Sequence, residues 1–249
     1  MQEADCIDSA VTGAESTSDD HESAVCIPGA QARDVRSALG DTSLSLGLRS
    51  FDFGTEIRGP REEIDRAIGR MAQLSGTADY RPIAVSSTAD RYLETLVERL
   101  KQAGVFLVSA ESCTAGLVSG GITEVPGSSS VLWGGFVVYS NEAKVHIGVS
   151  PATIESRGAV SRETVQSLVE ASLARTPANT AVAVSGIAGP EGGTDEKPLG
   201  TVWVAAATRG GTTIANRRCF SGSRAGVRLL AVGACHEAIM RVSMELTEA

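Results

Sequence analysis

The sequence predicts an α/β protein: a three-layer α/β/α domain on a mixed sheet over residues 91–249, preceded by a largely disordered acidic extension over residues 1–90. Three observations predict it. Beyond residue 91, segments with helical spacing alternate with short apolar runs. Gly, Ala and Val are abundant while aromatics make up only 4% of the chain, a composition for closely packed helices and strands rather than an aromatic sandwich core. The last two strand-like runs flank Arg209-Gly210-Gly211, a hairpin turn that adds antiparallel pairing to the pattern.

The extension comes first. Most of the net charge of −8 falls before residue 91, and the first lysine in the chain is Lys101. Residues 1–30 hold seven acids, no Lys or Arg, and many Ser, Thr and Ala, too little apolar surface to offset the entropy of ordering. In residues 61–74, Ile64, Ile68, Met71 and Leu74 recur at helical spacing and predict a short amphipathic helix. Residues 75–90 return to linker composition. The extension carries no catalytic motif.

The main domain opens with a helix over 91–102, with Leu93, Leu96, Val97 and Leu100 on one face and Gly104 as its stop. Residues 105–110 form a short apolar run, read as a buried strand. Residues 111–114 make a turn, and a helix follows to about Thr123. Residues 131–139 are rich in β-branched and aromatic side chains and predict a second strand. Ser150-Pro151 places a cap and a first-turn proline at the start of a short helix. Ser161 caps the next helix, whose core face is Val165, Leu168, Val169 and Leu173. Residues 181–185 (AVAVS) are a strand ending in the loop GIAGPEGGTDEKPLG. Residues 201–208 and 212–220 form the hairpin, and the last helix runs from about Ser223 to Met244.

Several function classes are excluded or disfavoured by composition. A general nucleic-acid surface needs clustered Lys and Arg, which an acidic chain of this kind lacks. No run of about 18 apolar residues marks a membrane span. The N-terminus has neither the basic-then-apolar pattern of a secretory signal nor the Arg-rich pattern of a transit peptide, so a cytoplasmic location is expected. Five cysteines (Cys6, Cys26, Cys113, Cys219, Cys235) show no C-x-x-C spacing, and the three histidines stand apart. Neither a disulfide framework nor a zinc site is expected, and no metal or cofactor is assigned.

Ligands of open α/β sheets bind beyond the carboxyl ends of strands. Three unusual segments fall there: Ser112-Cys113-Thr114, Tyr139-Ser140-Asn141 and Ser185-Gly186. Ser112 at a strand-to-helix turn is either an ordinary helix cap or a hydroxyl beside free backbone N–H groups able to hold an oxyanion. Lys144, one of three lysines, is either solvated or, if enclosed by apolar groups, a base of lowered pKa that pairs with a serine. Tyr139 can relay a proton or orient the lysine, or simply occupy a strand. Cys113 competes as nucleophile, because a helix N-terminus lowers thiol pKa, but no histidine lies in a suitable partner segment. Glu111, Asp195 and Glu196 lack ligand spacing for a metal. The 186–200 loop is neither a P-loop nor a dinucleotide loop. Arg224 and Arg228, four apart on one helix face, either clamp a phosphate or form surface ion pairs.

Taken in order, AESCTAGLVSGGITEVPGSS (110–129), GGFVVYSNEAKVHIGV (134–149), GAVSRETV (158–165), VSGIAGPEGGTDEKPLGTVWVA (184–205) and CFSGSRAGVR (219–228) resemble the C-terminal domain of the CinA family, the nicotinamide-nucleotide amidases of PncC type. The five motifs are co-linear and span nearly all of residues 91–249; the resemblance does not reach residues 1–90. It implies hydrolysis of the carboxamide of nicotinamide mononucleotide to nicotinate mononucleotide and ammonia, in pyridine-nucleotide recycling. It places the family's serine on Ser112, its lysine on Lys144, its tyrosine on Tyr139, its arginine on Arg224 and its Ser/Thr before a glycine on Ser185, beside Gly186. Backbone N–H groups around Cys113, Thr114 and Gly116 are then expected to hold the oxyanion, with Arg224 and Arg228 on the phosphate. Ala115 stands where many members have glycine, and Ser223 where aspartate is common. A homo-oligomer is expected from the resemblance and the apolar last helix. The alternative is a non-catalytic nucleotide-binding or interaction module on the same fold.

Overall fold

The computed structural model describes residues 92–211 and 213–247 and, before them, 22–28, 31–32, 35–36, 46–51, 54–60, 62–64, 66–67, 70 and 83–84. In the extension, β1 (Glu22–Pro28), β2 (Gly47–Phe51), β3 (Gly54–Pro60) and β4 (Ile83–Ala84) form an antiparallel sheet of order β2-β3-β1-β4. The composition of this stretch did not lead us to expect strands. Only the β2–β3 hairpin is local; β1 meets β3 with Glu22 opposite Pro60, a pairing that no short window of sequence reveals. Residues 62–64, 66, 67 and 70 are helical, with Ile64 and Ala67 buried; Ile68, Met71 and Leu74, the rest of the expected apolar face, lie outside the described residues. So do residues 1–21, where the disordered tail is expected.

The main domain is a five-stranded sheet between two layers of helices. In chain order its elements are α1 (Tyr92–Gln102), β5 (Leu107–Glu111), α2 (Leu117–Thr123), β6 (Leu132–Val137) and α3 (Asn141–Ile147). Then follow α4 (Pro151–Arg157), α5 (Arg162–Arg175), β7 (Thr180–Gly186), β8 (Thr201–Thr208), β9 (Ile214–Cys219) and α6 (Arg224–Thr247). The strand order is β6-β5-β7-β8-β9. β5 is parallel to both β6 and β7, while β7–β8 and β8–β9 are antiparallel, so the sheet is mixed as the hairpin signal predicts.

Side-chain alternation along the strands sorts the helices into layers. Leu107, Val182, Val184, Val202 and Val204 point into one core with α1, α2 and α6. Val108, Ala110, Ala181, Ala183, Ala205 and Ala207 point into the other, beneath α3 and α5. The alanine-lined face has short side chains, which lets α5 lie close to the sheet through Val165, Leu168 and Val169. Caps act where the sequence supplies them: Ser140 Oγ accepts from Ala143 N and Ser161 Oγ from Thr164 N. His236 on α6 is fully buried against the Tyr92 hydroxyl (3.1 Å), and burial drops its pKa to about 3, so it is a neutral core residue.

Two boundaries matter for the site. Glu111 is the last residue of β5 rather than the first of a turn, and α2 begins only at Leu117. Between them the chain makes a five-residue excursion through Ser112 that ends with two left-handed residues, Ala115 (φ 53) and Gly116 (φ 95). Ala115 bears a Cβ where a left-handed backbone favours glycine. We expect Ala115→Gly to raise stability by about 0.5–1 kcal/mol, the left-handed penalty less the extra chain entropy of glycine. Urea denaturation measures it, and a loss of stability would contradict the strain.

Candidate active site

The connection leaving β5 leads to β6 on one side, and the chain returns through α3, α4 and α5 to β7 on the other. The carboxyl end of β5 is therefore the point at which the connections diverge, the place where open α/β sheets form a crevice. Ser112 follows β5 directly, and its N–H donates to the Val184 carbonyl of β7 (3.0 Å). On the other side Val138 N donates to the Glu111 carbonyl (2.8 Å). The segments after β5, β6 and β7 are thus tied together around Ser112.

Lys144 projects from α3 into this junction and is 1% exposed. Its Nζ donates to the carbonyls of Tyr139 (2.9 Å), Val138 (3.0 Å) and Ser140 (3.4 Å). In a continued parallel ladder, the Val138 carbonyl would face the N–H of Cys113; the lysine takes it instead. Nζ is also close enough to Cys113 for the two side chains to interact electrostatically. No hydrogen bond joins Nζ to Ser112 Oγ among the described residues. Burial lowers the lysine pKa, an effect partly offset by the nearby Cys113 thiol.

Cys113 lacks the lowered thiol pKa that a helix start suggests. Its thiol is buried, and burial pushes the pKa up to about 11, against the opposing pull of its own N–H, Arg228 and Lys144. It stays a thiol at neutral pH. Its Sγ packs over Gly186, where an added Cβ would lie 3.2 Å from that sulfur, 3.0 Å from the Thr201 carbonyl oxygen and 2.7 Å from Val202 Cγ2. Only glycine fits there. Ser185 is buried, and its hydroxyl donates to the Ala159 carbonyl (2.8 Å), so it holds the 158–161 loop against the end of β7.

The first turn of α2 is arranged differently from expectation. Gly116 N, expected to face a ligand, donates to Glu111 Oε2 (2.8 Å), as does Val118 N (3.0 Å). Thr114 Oγ1 donates to the same oxygen (2.8 Å). Ala115 N is used by the Ser112 carbonyl (3.2 Å). The Gly116 N–H is therefore not available to a ligand as expected, because a buried carboxylate occupies it. Among the described residues, the N–H groups of the turn with no hydrogen-bond partner on another residue are those of Cys113 and Thr114.

The two arginines also divide. Arg228 donates to the carbonyls of Cys113 (2.9 Å) and Thr114 (3.0 Å), so it grips the turn after Ser112 instead of sharing a phosphate with Arg224. Arg224, exposed at the start of α6, donates to the Gly189 carbonyl (2.8 Å) and the Tyr139 hydroxyl (3.1 Å). It thereby joins the glycine-rich loop to the residue after β6. Tyr139, 58% exposed, orients Lys144 through its carbonyl, while its phenol faces Arg224. Glu111 is the residue that sequence reasoning missed: it was weighed only as a metal ligand. Its signal was present in the hydroxyl-rich S-x-E-x-x-T pattern at the strand end. Among the described residues no group of three His, Cys, Asp or Glu side chains is placed to hold a metal ion, and no helix is long and apolar enough to cross a membrane.

Comparison with known proteins agrees with this architecture. The model of the CinA C-terminal domain family matches residues 89–243. The nicotinamide-nucleotide amidohydrolase PncC of Escherichia coli (strain K12) is 48% identical over 136 residues, covering 54% of this chain and 82% of that protein. A longer protein of the same name from Shewanella oneidensis is 39% identical over 179 residues, covering 72% of this chain and 41% of its own. Among solved structures, the competence/damage inducible protein CihA from Agrobacterium tumefaciens superposes with a TM-score of 0.60 at 37% identity, covering 64% of this chain and 99% of that one. The competence damage-inducible protein A (ComA) from Klebsiella pneumoniae superposes at 0.56 with 36% identity, covering 60% and 95%.

Proposed function

The chain belongs to the CinA C-terminal domain family, and from that premise we propose that it is an amidase hydrolysing nicotinamide mononucleotide to nicotinate mononucleotide and ammonia. One observation carries the chemistry: a fully enclosed lysine bonded to the segment after β6, which is tied to the end of β5 that leads into Ser112. An ammonium in such a place has lost its water, so the neutral amine is favoured relative to solution.

Ser112 Oγ attacks the carboxamide carbon as Lys144 Nζ takes its proton. A neutral amine has two N–H groups, enough for the two short bonds to Val138 and Tyr139. Its lone pair turns to Ser112 at the expense of the 3.4 Å contact with Ser140. Such contacts commonly close only in the substrate complex. The oxyanion accepts from the N–H groups of Cys113 and Thr114, a contribution of about 3 kcal/mol per donor in comparable sites. Protonated Lys144 then gives its proton to the amide nitrogen as the C–N bond breaks and ammonia leaves. Water attacks the acyl ester with Lys144 again as base, releasing the carboxylate product and restoring the serine. Arg224 and the 186–200 loop bind the phosphate and ribose, and Tyr139 holds the arginine from the opposite side. In the cell this reaction would serve pyridine-nucleotide recycling.

The test mixes the purified protein with nicotinamide mononucleotide and a metal chelator and follows ammonia and nicotinate mononucleotide. We expect equimolar, steady release of both, at a rate that the chelator leaves unchanged. Binding of the nucleotide without ammonia would instead make the chain a binding module.

A further inference from the structure

Glu111 is a buried carboxylate that the reaction above does not use. It is 1% exposed, yet no Lys or Arg lies within ion-pair distance of it among the described residues. Six N–H and O–H groups surround its charge instead, of which five donate at once, because the Ser109 and Ser119 hydroxyls also share a hydrogen bond (2.7 Å). Oε1 faces Ser109 Oγ (3.0 Å), Ser119 N (3.0 Å) and Ser119 Oγ (3.1 Å). Oε2 accepts from Thr114 Oγ1 (2.8 Å), Gly116 N (2.8 Å) and Val118 N (3.0 Å). Two carboxylate oxygens offer about four lone-pair directions, so the group is saturated.

A plain helix cap does not need this arrangement. A Ser, Thr or Asp at the position before α2 would satisfy the same N–H groups; that position is Gly116, which has no side chain to give. The cap comes instead from the far side of the excursion that carries Ser112. Both ends of residues 112–116 are therefore fastened to one side chain, and the shape of the loop between them depends on where that carboxylate sits. The opposite flank is fastened by Arg228, which draws the carbonyls of Cys113 and Thr114 toward itself. In a planar trans peptide the N–H points opposite to the carbonyl. Thr114 N–H is thus turned away from Arg228, and the helix-start N–H groups are consumed by Glu111.

We propose that Glu111 is a positioning residue for the Ser112 nucleophile: gripping Thr114, Gly116, Val118 and Ser119, it moulds the turn so that the N–H groups of Cys113 and Thr114 converge on the substrate oxyanion. This rests on the reading of Ser112 as nucleophile. Glu111→Gln keeps the length but sets an NH2 group against backbone N–H donors, so the turn must shift. Displacements near 1 Å cost about a hundredfold in rate.

The experiment compares the wild type, Glu111→Gln and the milder Thr114→Val, which removes one donor to Oε2. Two rates are read: acylation of Ser112 by a fluorophosphonate probe, followed by intact mass, and kcat and KM for nicotinamide mononucleotide. Titration with nicotinate mononucleotide counts binding-competent molecules, to which both rates are normalised. We expect Glu111→Gln to lower labelling and kcat at least about thirtyfold with KM within about threefold, and Thr114→Val to lower both about three- to tenfold. A merely structural Glu111 would reduce the competent fraction while each competent molecule turned over normally; rates within twofold of wild type would overturn the proposal. If Glu111→Gln does not fold, Thr114→Val decides by the same criterion. Wild type labelled at Ser112 but inert toward the nucleotide would refute the substrate alone, and Glu111 would then be judged on labelling rate. Wild type that resists labelling and releases no ammonia overturns both.

Discussion

Ser112→Ala is expected to abolish ammonia release, lowering kcat by at least about 10⁴-fold, while nicotinamide mononucleotide still binds with near-normal affinity. In the proposed mechanism the hydroxyl forms the acyl bond, and no neighbour is placed to replace it. Cys113 is adjacent but remains protonated, with its pKa near 11, and its sulfur is packed against Gly186. The residual rate would come from the oxyanion donors and from binding, which alanine leaves in place. Isothermal titration measures the affinity and a discontinuous ammonia assay the rate. Turnover within tenfold of wild type would remove Ser112 from the reaction.

Lys144→Met should lower kcat about 10³-fold or more, because it deletes the proposed base and keeps a stem that fills the pocket. The carbonyls of Val138, Tyr139 and Ser140 lose their shared donor, so some stability is lost as well, at about 1–3 kcal/mol for each carbonyl left buried and unpaired. The pH dependence has a definite sign. Only the neutral amine accepts a proton, so wild-type kcat rises with pH through the folded-state pKa of Lys144, which lies below the ordinary lysine value of 10.5. Stability follows the same direction. Between the lowered folded pKa and 10.5 the unfolded chain binds the extra proton, so folding grows more favourable as pH rises through that window, and is least favoured below it. Lys144→Arg, which stays charged throughout, should show neither the activity nor the limb. Retention of the rising limb in that variant would assign it to another group.

The main sheet was legible because its signals are local. The AVAVS run, the 201–208 run and the Arg209-Gly210-Gly211 turn each mark their strands within a residue or two of the observed bounds. Ser150-Pro151 and Ser161 mark α4 and α5 in the same way. That residues 112–114, 139–141 and 185–186 lie at the carboxyl ends of neighbouring strands followed from the order of the apolar runs. What was not legible depends on side-chain direction. Nothing in the spacing says that Glu111 points under α2, or that the guanidinium of Arg228 reaches residues 113 and 114 rather than outward. The extension was opaque for a related reason: β1 finds its partners at positions 54–60 and 83–84, across stretches whose composition reads as linker.

The grip of Arg228 on the Ser112 turn has a temporal side. The two contacts span 115 and 114 residues of chain, and Arg224 arrives with the same helix. On the ribosome, a nascent polypeptide would already have made its serine and its lysine long before the arginines emerged. Until they dock, the turn is held by Val184 and Glu111 alone and the carbonyls of Cys113 and Thr114 lack their clamp, so full catalytic competence should be gained only after α6 has been made. Release of ammonia by a nascent chain stalled before residue 224 would be the sign that assembly takes another order.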